Sequence, residues 1–221
     1  MTIHIGTDKV SKVYVGNDEV KKIYIGSDLV FNSTTPTPPT PTILFQPPLD
    51  GTDTFYNLPS NKGTAVTSNG ELSCRSGDCQ FSTTFDNTVN WKFTCKFKTT
   101  GASSRFGVSR IGYTRQNHLQ LGADGSGNAR EYHGQSSTGT GETVRQWTGL
   151  SSLSSYFNNW IDIEISKTGT SINMKASYNG TGFNNDTWSL SWINDLNNLA
   201  VSVTNWGNST TYLKDILIVE V

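Results

Sequence analysis

The first 31 residues contain three copies of a ten-residue unit, and this repeat constrains the fold more than any other feature of the sequence. Three residue types recur in register, at Gly6, Gly16 and Gly26, at Asp8, Asp18 and Asp28, and at Val10, Val20 and Val30. Each unit predicts a strand, a Gly-x-Asp turn and a return strand entered at the valine, because glycine accepts positive φ and aspartate can bond its own backbone. Such hairpins cannot bury an apolar face alone, so we expect them to stack on one another or on another chain.

The same repeat indicates an anchoring role. Its pattern G-x-D-x-V-x-K-[IV]-Y-[IV]-G resembles the short N-terminal repeats of bacteriophage virion proteins, which precede a host-facing domain. The resemblance implies a virion-surface protein, extracellular after lysis, such as a head fibre or an accessory protein of the tail or baseplate. We expect residues 1–32 to bind other virion proteins or to form a homo-oligomer, with a trimer favoured, because strand edges are seldom left exposed. The alternative is an ordinary three-hairpin meander in some surface protein.

A spacer follows the repeat. Residues 33–42 contain four prolines and five threonines, a composition that excludes a helix or a central strand. We expect an extended polyproline-type linker of roughly 30 Å, at ~3.1 Å per residue. The sequence therefore predicts a β-repeat segment for anchoring and assembly at 1–32, a Pro/Thr-rich linker at 33–42 and a single domain at 43–221.

The charge balance argues against two classes of partner. The chain of 221 residues has a net charge of −1 and only 16% charged residues. Nucleic acid and anionic membranes are therefore not expected as partners, because no basic field is available to hold them. The sequence also lacks an apolar run long enough to cross a bilayer, and no secretory signal is expected at its N-terminus.

Residues 43–221 are predicted to be all-β. Apolar and polar residues alternate at 91–97, 161–165 and 172–178, and the last of these runs ends in the turn signal Asn179-Gly180. Residues 216–219 are apolar on both faces, which favours a strand in the centre of a sheet. No segment shows a helical period. About a dozen short strands predict one β-sandwich.

Two segments of this domain resemble a known fold. The motif W-x-x-I-E-I-x-K-x-G at 160–169 and the closing strand at 213–221 are similar to the laminin-G or concanavalin A-like jelly roll. The resemblance implies a lectin-like carbohydrate-binding module whose partner is a cell-surface polysaccharide or another glycan. The alternative is a purely structural virion decoration protein that binds no sugar.

Glycan hydrolysis is a third function to consider. Retaining glucanases of the same fold carry E-x-D-x-x-E on one strand, with two carboxylates about 5 Å apart. Here Asp162 and Glu164 share a strand face, but Trp160 stands where the first glutamate is needed. Ser166 and Lys167 stand where the third carboxylate is needed. We therefore expect no catalytic residues and no enzyme activity.

Sugar recognition needs flat aromatic faces with hydrogen-bonding groups at their rim. The stretch 122–149 holds seven glycines and little aliphatic material, so it is predicted to be mostly loop. An exposed loop tryptophan without a packing reason indicates a binding site. The predicted carbohydrate-binding residues are Trp147, Tyr132, His133, Arg130, Arg145 and Gln135, with Trp206 as a second aromatic candidate. The alternative is that Trp147 folds back to cap the edge of the sandwich.

Cysteines and acidic residues define no cofactor site. Cys74 and Cys79 flank a predicted hairpin loop, where a disulfide is left open, and Cys95 is expected in the core. No cofactor is predicted. A structural calcium ion is left open, with loop acids available as ligands at Asp50, Asp53, Asp124 and Asp215.

Overall fold

The computed structural model describes residues 40–135 and 141–221 throughout. Of the N-terminal region it describes residues 4–5, 8–9, 13–15, 18–20, 22–25 and 28–32. Contacts divide the chain into two compact units, Met1–Thr40 and Pro41–Val221. The predicted linker lies largely outside the described residues, as do the three Gly-x-Asp turns.

The N-terminal unit contains one short β-hairpin for each repeat. Its strands are β1 His4–Ile5, β2 Asp8–Lys9, β3 Val13–Val15, β4 Asp18–Val20, β5 Lys22–Ile25 and β6 Asp28–Asn32. Consecutive strands pair antiparallel in three separate two-stranded sheets. The return strand begins at the aspartate and not at the valine, since Ile5 pairs with Asp8 and Val15 with Asp18. Only two residues then connect the strands, which is the commonest length for a tight hairpin.

The C-terminal unit consists mainly of strands and turns. Its strands are β7 Ile43–Phe45, β8 Thr64–Ser68, β9 Glu71–Arg75, β10 Cys79–Gln80, β11 Phe85–Asp86, β12 Trp91–Thr99, β13 Ser104–Ser109, β14 His118–Ala123, β15 Ala129–Gly134, β16 Glu142–Gln146, β17 Ile161–Thr168, β18 Ser171–Tyr178, β19 Thr181–Ser189, β20 Asn198–Asn205 and β21 Thr210–Glu220. Two 3₁₀ helices span Ser154–Tyr156 and Ser191–Asp195. Within the part of the chain that the structure describes, no helix has the length and apolar composition needed to cross a membrane.

Two antiparallel sheets form a β-sandwich, which confirms the predicted fold class. The eight-stranded sheet has the order β19-β18-β17-β12-β21-β9-β8, and β7 also pairs with β21. The seven-stranded sheet has the order β10-β20-β13-β14-β15-β16, and β11 also pairs with β20. Strand β21 lies between β12 and β9, as expected for a strand that is apolar on both faces.

The inner faces of the two sheets form one hydrophobic core. Side chains of β12 alternate, so that Trp91, Phe93 and Phe97 are buried while the intervening lysines point outward. Phe97 stacks on Phe106 of the other sheet, with ring centroids 4.4 Å apart. The Trp91 indole donates a hydrogen bond of 2.8 Å to the Asn87 amide oxygen, which satisfies its buried N–H.

The cysteines take two different roles. Cys74 and Cys79 form a disulfide, and Cys95 is free and buried. The predicted hairpin loop between Cys74 and Cys79 is wrong, because Cys74 belongs to the eight-stranded sheet and Cys79 to the seven-stranded sheet. The short segment between them crosses from one sheet to the other, and the disulfide therefore links the two layers. Cys95 fills the core as expected.

Candidate functional site

The outer face of the seven-stranded sheet carries polar side chains that are nevertheless buried. Strand register places Gln80, Ser202, Gln120 and Tyr132 in one row across the sheet, with Gly107 between Ser202 and Gln120. All four of these side chains are buried. A polar group buried in this way must be hydrogen-bonded, so this face is a structured surface and not a solvated one.

Two glutamines fasten the loop at residues 110–117 onto this face. The Gln80 amide donates to the Arg110 carbonyl at 2.9 Å and accepts from the Gly112 N–H at 2.7 Å. The Gln120 amide donates to the Thr114 carbonyl at 3.0 Å. The loop thus covers one end of the sheet and brings its side chains next to those of β13 and β20.

Arg105 lies across this outer face, next to a position that carries no side chain. Its register partner on β14 is Gly122, which has φ +157, and a Cβ at Gly122 would lie 2.1 Å from the Ser104 carbonyl oxygen. Only glycine fits there, and the missing side chain leaves room for Arg105 to extend toward β15 and β16. Its guanidinium lies 4.3 Å from the Tyr132 ring centroid and pairs with the Glu142 carboxylate.

The charges around Glu142 are arranged to keep it ionised. Burial opposes ionisation, but the hydrogen bond with His118 and the charge of Arg105 lower the pKa of Glu142 below its usual value. Burial in turn lowers the pKa of His118, so the imidazole is neutral at pH 7. Its Nε2 therefore donates to the Glu142 carboxylate at 2.9 Å. Burial also raises the pKa of Tyr132 to about 12, which keeps its phenol protonated.

Trp206 forms the accessible part of this arrangement. It follows β20 and is 36% exposed, whereas Arg105 is only 3% exposed. The guanidinium of Arg105 lies 4.5 Å from the indole centroid, and that of Arg115, from the covering loop, lies 4.1 Å from it. Two cation–π contacts therefore fix the orientation of a half-exposed indole.

A cleft of about 240 Å³ adjoins Arg115. Its lining includes Asn61, Asp78, Tyr113, Arg115 and Gln116. The buried Asp78 carboxylate accepts hydrogen bonds from the Thr114 hydroxyl and the Asn61 amide, and it lies 3.6 Å from the Arg115 guanidinium. Burial raises the pKa of Asp78. The cleft thus offers donors and acceptors together with the half-exposed ring of Tyr113.

The structure places some predicted site residues on this face. Tyr132 supports Arg105, and Arg130 lies on the same face, where its guanidinium donates to Asp124 at 3.1 Å. Trp206 borders the cleft through Arg115. Gln135 is exposed just beyond the end of β15. The sugar-binding role of these residues stays a prediction.

Other predicted residues point the opposite way. The expectation that Trp147 is exposed is wrong: it is 2% exposed and packs in the hydrophobic core. His133 lies edge-on to Trp188 with ring centroids 3.9 Å apart, and Arg145 lies 3.9 Å over the same indole. Both therefore face β19 of the other sheet, away from Trp206.

The prediction of loop for residues 122–149 is also wrong. Strands β15 and β16, together with the end of β14, occupy more than half of the described part of this stretch and extend the seven-stranded sheet. Both faces of β15 are covered, so its polar residues do not alternate with apolar ones as they would in a half-solvated strand. Two of its glycines, Gly122 and Gly134, instead permit close approach of neighbouring strands.

Glu131 is a buried carboxyl between the sheets. It accepts from the Trp188 indole at 3.0 Å and from the Asn184 amide at 3.1 Å. Burial and a shared hydrogen bond with Asp186 raise the pKa of Glu131 to about 7. Burial lowers the pKa of the neighbouring His133 to about 4. These groups hold the edges of the two sheets together and lie outside the cleft.

The acidic residues considered for calcium are engaged otherwise or dispersed. Asp124 accepts from the backbone N–H groups of Ser126 and Asn128 and from the Arg130 guanidinium, which closes its own turn. The Asp50 carboxylate accepts from Thr52. Across the described residues, no group of three or more His, Cys, Asp or Glu side chains is placed to hold a metal ion. Calcium binding stays untested.

The carboxylates weighed as a hydrolase pair lie on the outer face of the eight-stranded sheet. Asp162 pairs with Lys96 at 3.4 Å, and Glu164 pairs with Lys175 at 2.9 Å. Both are partly exposed and each is matched by a lysine. Such pairs are typical of a solvated strand face, which was the alternative explanation for them.

Sequence reasoning missed the residues around Trp206. Arg105, Arg115, Glu142 and Asp78 come from four separate segments, which only the strand register and the covering loop bring together. One signal was available in the sequence. The outward-facing positions of β13, β14 and β20 include serines, threonines and glutamines, which are polar but uncharged.

Comparison with known proteins identifies the fold. No family model and no curated protein matches the sequence. Among solved structures, the carbohydrate-binding module CBM66 from Bacillus subtilis matches with a TM-score of 0.52 at 8% identity, over 72% of this chain and 92% of that one. A legume lectin-like domain from Entamoeba histolytica matches with a TM-score of 0.51 at 12% identity, over 73% and 89%.

A functionally unknown protein from Saccharomyces cerevisiae is similar to the same extent. Its TM-score is 0.51 at 9% identity, over 78% of this chain and 98% of that one. At such identities the likeness shows the fold alone. The C-terminal unit therefore has the jelly-roll fold found in carbohydrate-binding and lectin-like domains.

Proposed function

We propose that the sandwich binds a glycan on the outer face of its seven-stranded sheet, next to Trp206. The observation that carries the proposal is a half-exposed indole, held by Arg105 and Arg115 beside a cleft of about 240 Å³. A pyranose presents an apolar face that packs on an aromatic ring and hydroxyls that need donors and acceptors around it. The cleft supplies both kinds of group.

The residues around the cleft have separate roles in this proposal. Tyr113 offers aromatic surface within the cleft, and Trp206 adds its exposed part beside it. Arg115 and Asn61 offer donors to the hydroxyls of the sugar. The Asp78 carboxylate, already held by Thr114 and Asn61, accepts from a hydroxyl. Arg105 does not line the cleft and instead positions Trp206 through its cation–π contact. The resemblance of the fold to carbohydrate-binding and lectin-like domains supports this assignment.

Binding, and not hydrolysis, is proposed for this site. Its described carboxylates, Asp78 and Glu142, are each committed to an arginine and a further hydrogen bond. A general acid would need a carboxyl free to give its proton to a leaving group. Reducing-sugar release from a bound polysaccharide would contradict this part of the proposal.

A glycan array with the full-length chain tests the site. The array should include bacterial cell-wall polysaccharides, and Trp206→Ala and Arg115→Gln should each abolish most of the binding. Arg145→Gln is the matched control, because Arg145 also lies over a tryptophan, Trp188, but outside the cleft. Undiminished binding by both cleft variants would place the site elsewhere. An array with no bound glycan would favour a structural decoration protein instead.

We further propose that residues 1–32 fix the chain to a virion surface by self-assembly, as a trimer, or by contact with another virion protein. The support is the threefold sequence repeat and its resemblance to virion proteins, together with hairpins too short to be stable alone. Deleting residues 1–32 should leave a monomeric sandwich that still binds sugar. Light scattering that shows the full-length chain to be monomeric at tens of micromolar would contradict self-assembly.

A further inference from the structure

We propose that the outer face of the eight-stranded sheet holds a second binding site, for the anionic group of an acidic saccharide. Five lysines project from this face, namely Lys92, Lys96, Lys98, Lys175 and Lys214. Three of them pair with Asp162 or Glu164. The other two, Lys98 and Lys214, contact aromatic rings, and neither forms a salt bridge among the described residues, although Glu71 is the register partner of Lys214 on β9.

Lys98 and Lys214 converge on one indole. Their ammonium nitrogens lie 4.3 Å and 4.4 Å from the ring centroid of Trp160, and that of Lys98 also lies 4.5 Å from the Tyr212 centroid. The two charges are therefore about one Debye length apart or less at physiological salt, ~8 Å, and repel each other. The cation–π contacts offset part of this repulsion, and a bound anion would remove it.

A groove of about 390 Å³ lies on the same face, lined in part by Lys96, Asp162 and Glu164. Two β-bulges border it, one between Thr94 and Lys96 against β21 and one between Ala176 and Ser177 against β19. Bulges bend and twist a strand locally, which opens a groove in an otherwise flat sheet face. Lys214 is the register partner of Lys96, a groove residue, so the lysine pair lies beside the groove.

The mixture of groups favours an acidic saccharide over other polyanions. Ammonium groups beside the groove suit a carboxylate or sulfate, while the carboxylates that line it, Asp162, Glu164 and Asp215, accept from sugar hydroxyls. A nucleic acid would bring a continuous phosphate backbone against the same carboxylates. A membrane would need an apolar or uniformly basic surface to bind to, and this face presents a groove instead. The proposal does not depend on the site at Trp206, which lies on the other sheet.

The test is calorimetry of the full-length chain with polygalacturonate and with neutral dextran. Polygalacturonate should bind and dextran should not. Lys98→Gln/Lys214→Gln should weaken polygalacturonate binding about tenfold, the effect of losing a charge-assisted hydrogen bond. The matched control Lys62→Gln/Lys92→Gln removes the same charge from positions that do not line the groove and should bind within a factor of about two of the unmodified chain.

Several results would overturn this second site. Equal weakening by both double variants would show a diffuse electrostatic attraction. Equal binding of duplex DNA would show a general polyanion surface, and absent polygalacturonate binding would remove the site altogether. Loss of polygalacturonate binding in Trp206→Ala would place the anion on the seven-stranded sheet instead.

Discussion

The two outer faces of the sandwich carry polar groups in opposite ways. On the seven-stranded sheet, Gln80 and Gln120 are buried and hydrogen-bonded to the backbone of the covering loop, and Arg105 is buried and paired with Glu142. On the eight-stranded sheet, ion pairs such as Lys96 with Asp162 remain open to solvent. Buried polar groups are costly unless every partner is present, whereas exposed pairs contribute little either way. We call the outer face of the seven-stranded sheet the covered face and that of the eight-stranded sheet the open face. The covered face is therefore the more constrained of the two and is suited to orienting Trp206.

The largest expected difference in unfolding free energy is between removing one cation from the covered face and removing one from the open face. Arg105→Met should lower the free energy of unfolding by about 3 kcal/mol, because it leaves the Glu142 carboxylate largely buried without its cation. Lys96→Met, which removes the exposed partner of Asp162, should cost about 0.5 kcal/mol or less. Urea unfolding followed by tryptophan fluorescence measures both. Equal losses would mean that the covered face is no more constrained than the open one.

A pH titration extends the comparison to the space between the sheets. The pKa of Glu131 rises from 4.5 to about 7 on folding, so the folded state binds this proton more tightly than the unfolded chain. Its contribution to stability is complete below pH 4.5 and is lost as the pH rises through about 7. Glu131→Gln should therefore be less sensitive than the unmodified chain to a rise in pH across this window.

The control for this titration is the difference between two profiles of stability against pH, one for the unmodified chain and one for Glu131→Gln. His133 contributes with the opposite sign, because its lowered pKa, about 4, removes stability as the pH falls below 6.5. Only the difference between the unmodified chain and Glu131→Gln isolates the carboxyl. Parallel profiles from pH 4.5 to pH 8 would show that Glu131 ionises normally.

A smaller loss of stability is expected when one side-chain amide is removed from each face. The Gln120 side chain donates to the Thr114 carbonyl and two hydroxyls, and that of Asn173 donates to the Asp186 carbonyl and two side chains. Gln120→Ala should cost about 1–2 kcal/mol, because its buried partners lose their bonds away from water. Asn173→Ala on the open face should cost about 0.5 kcal/mol or less. A reversed order in thermal melts would contradict the contrast between the faces.

The smallest effect is expected for the ion pairs themselves. Glu164→Gln removes the negative charge shared by Lys92 and Lys175 and should change stability by about 0.5 kcal/mol or less. High salt should erase even that difference, since exposed charges are screened. A larger loss that persists in salt would indicate a cooperative ion-pair network on this face.

The same contrast explains which parts of the fold the sequence predicts. Strands β12, β17 and β18 have one buried and one open face, so their residues alternate and predict strands directly. Strands β13, β14 and β15 are covered on both faces, and their polar residues and glycines mask the period. The loop prediction for 122–149 failed for this reason, and Trp147 was expected to be exposed because its strand partners were not recognised.

The candidate site was predictable only in part. Tyr132, Arg130 and Trp206 stood out by residue type and lie on or beside the covered face. Arg105 and Arg115 could not be assigned, because their meeting at Trp206 depends on the pairing of β13 with β20 and on the fold of the covering loop. Neither pairing nor loop conformation is encoded in a local pattern.

Hydrogen–deuterium exchange of the full-length chain, with and without the best-binding oligosaccharide from the array, tests the central claim most directly. Binding beside Trp206 should slow exchange of the backbone amides at residues 110–117 and 204–209, with little change in β17 and β18. Protection confined to the eight-stranded sheet, or to the edge formed by β16 and β19, would contradict a glycan site on the covered face.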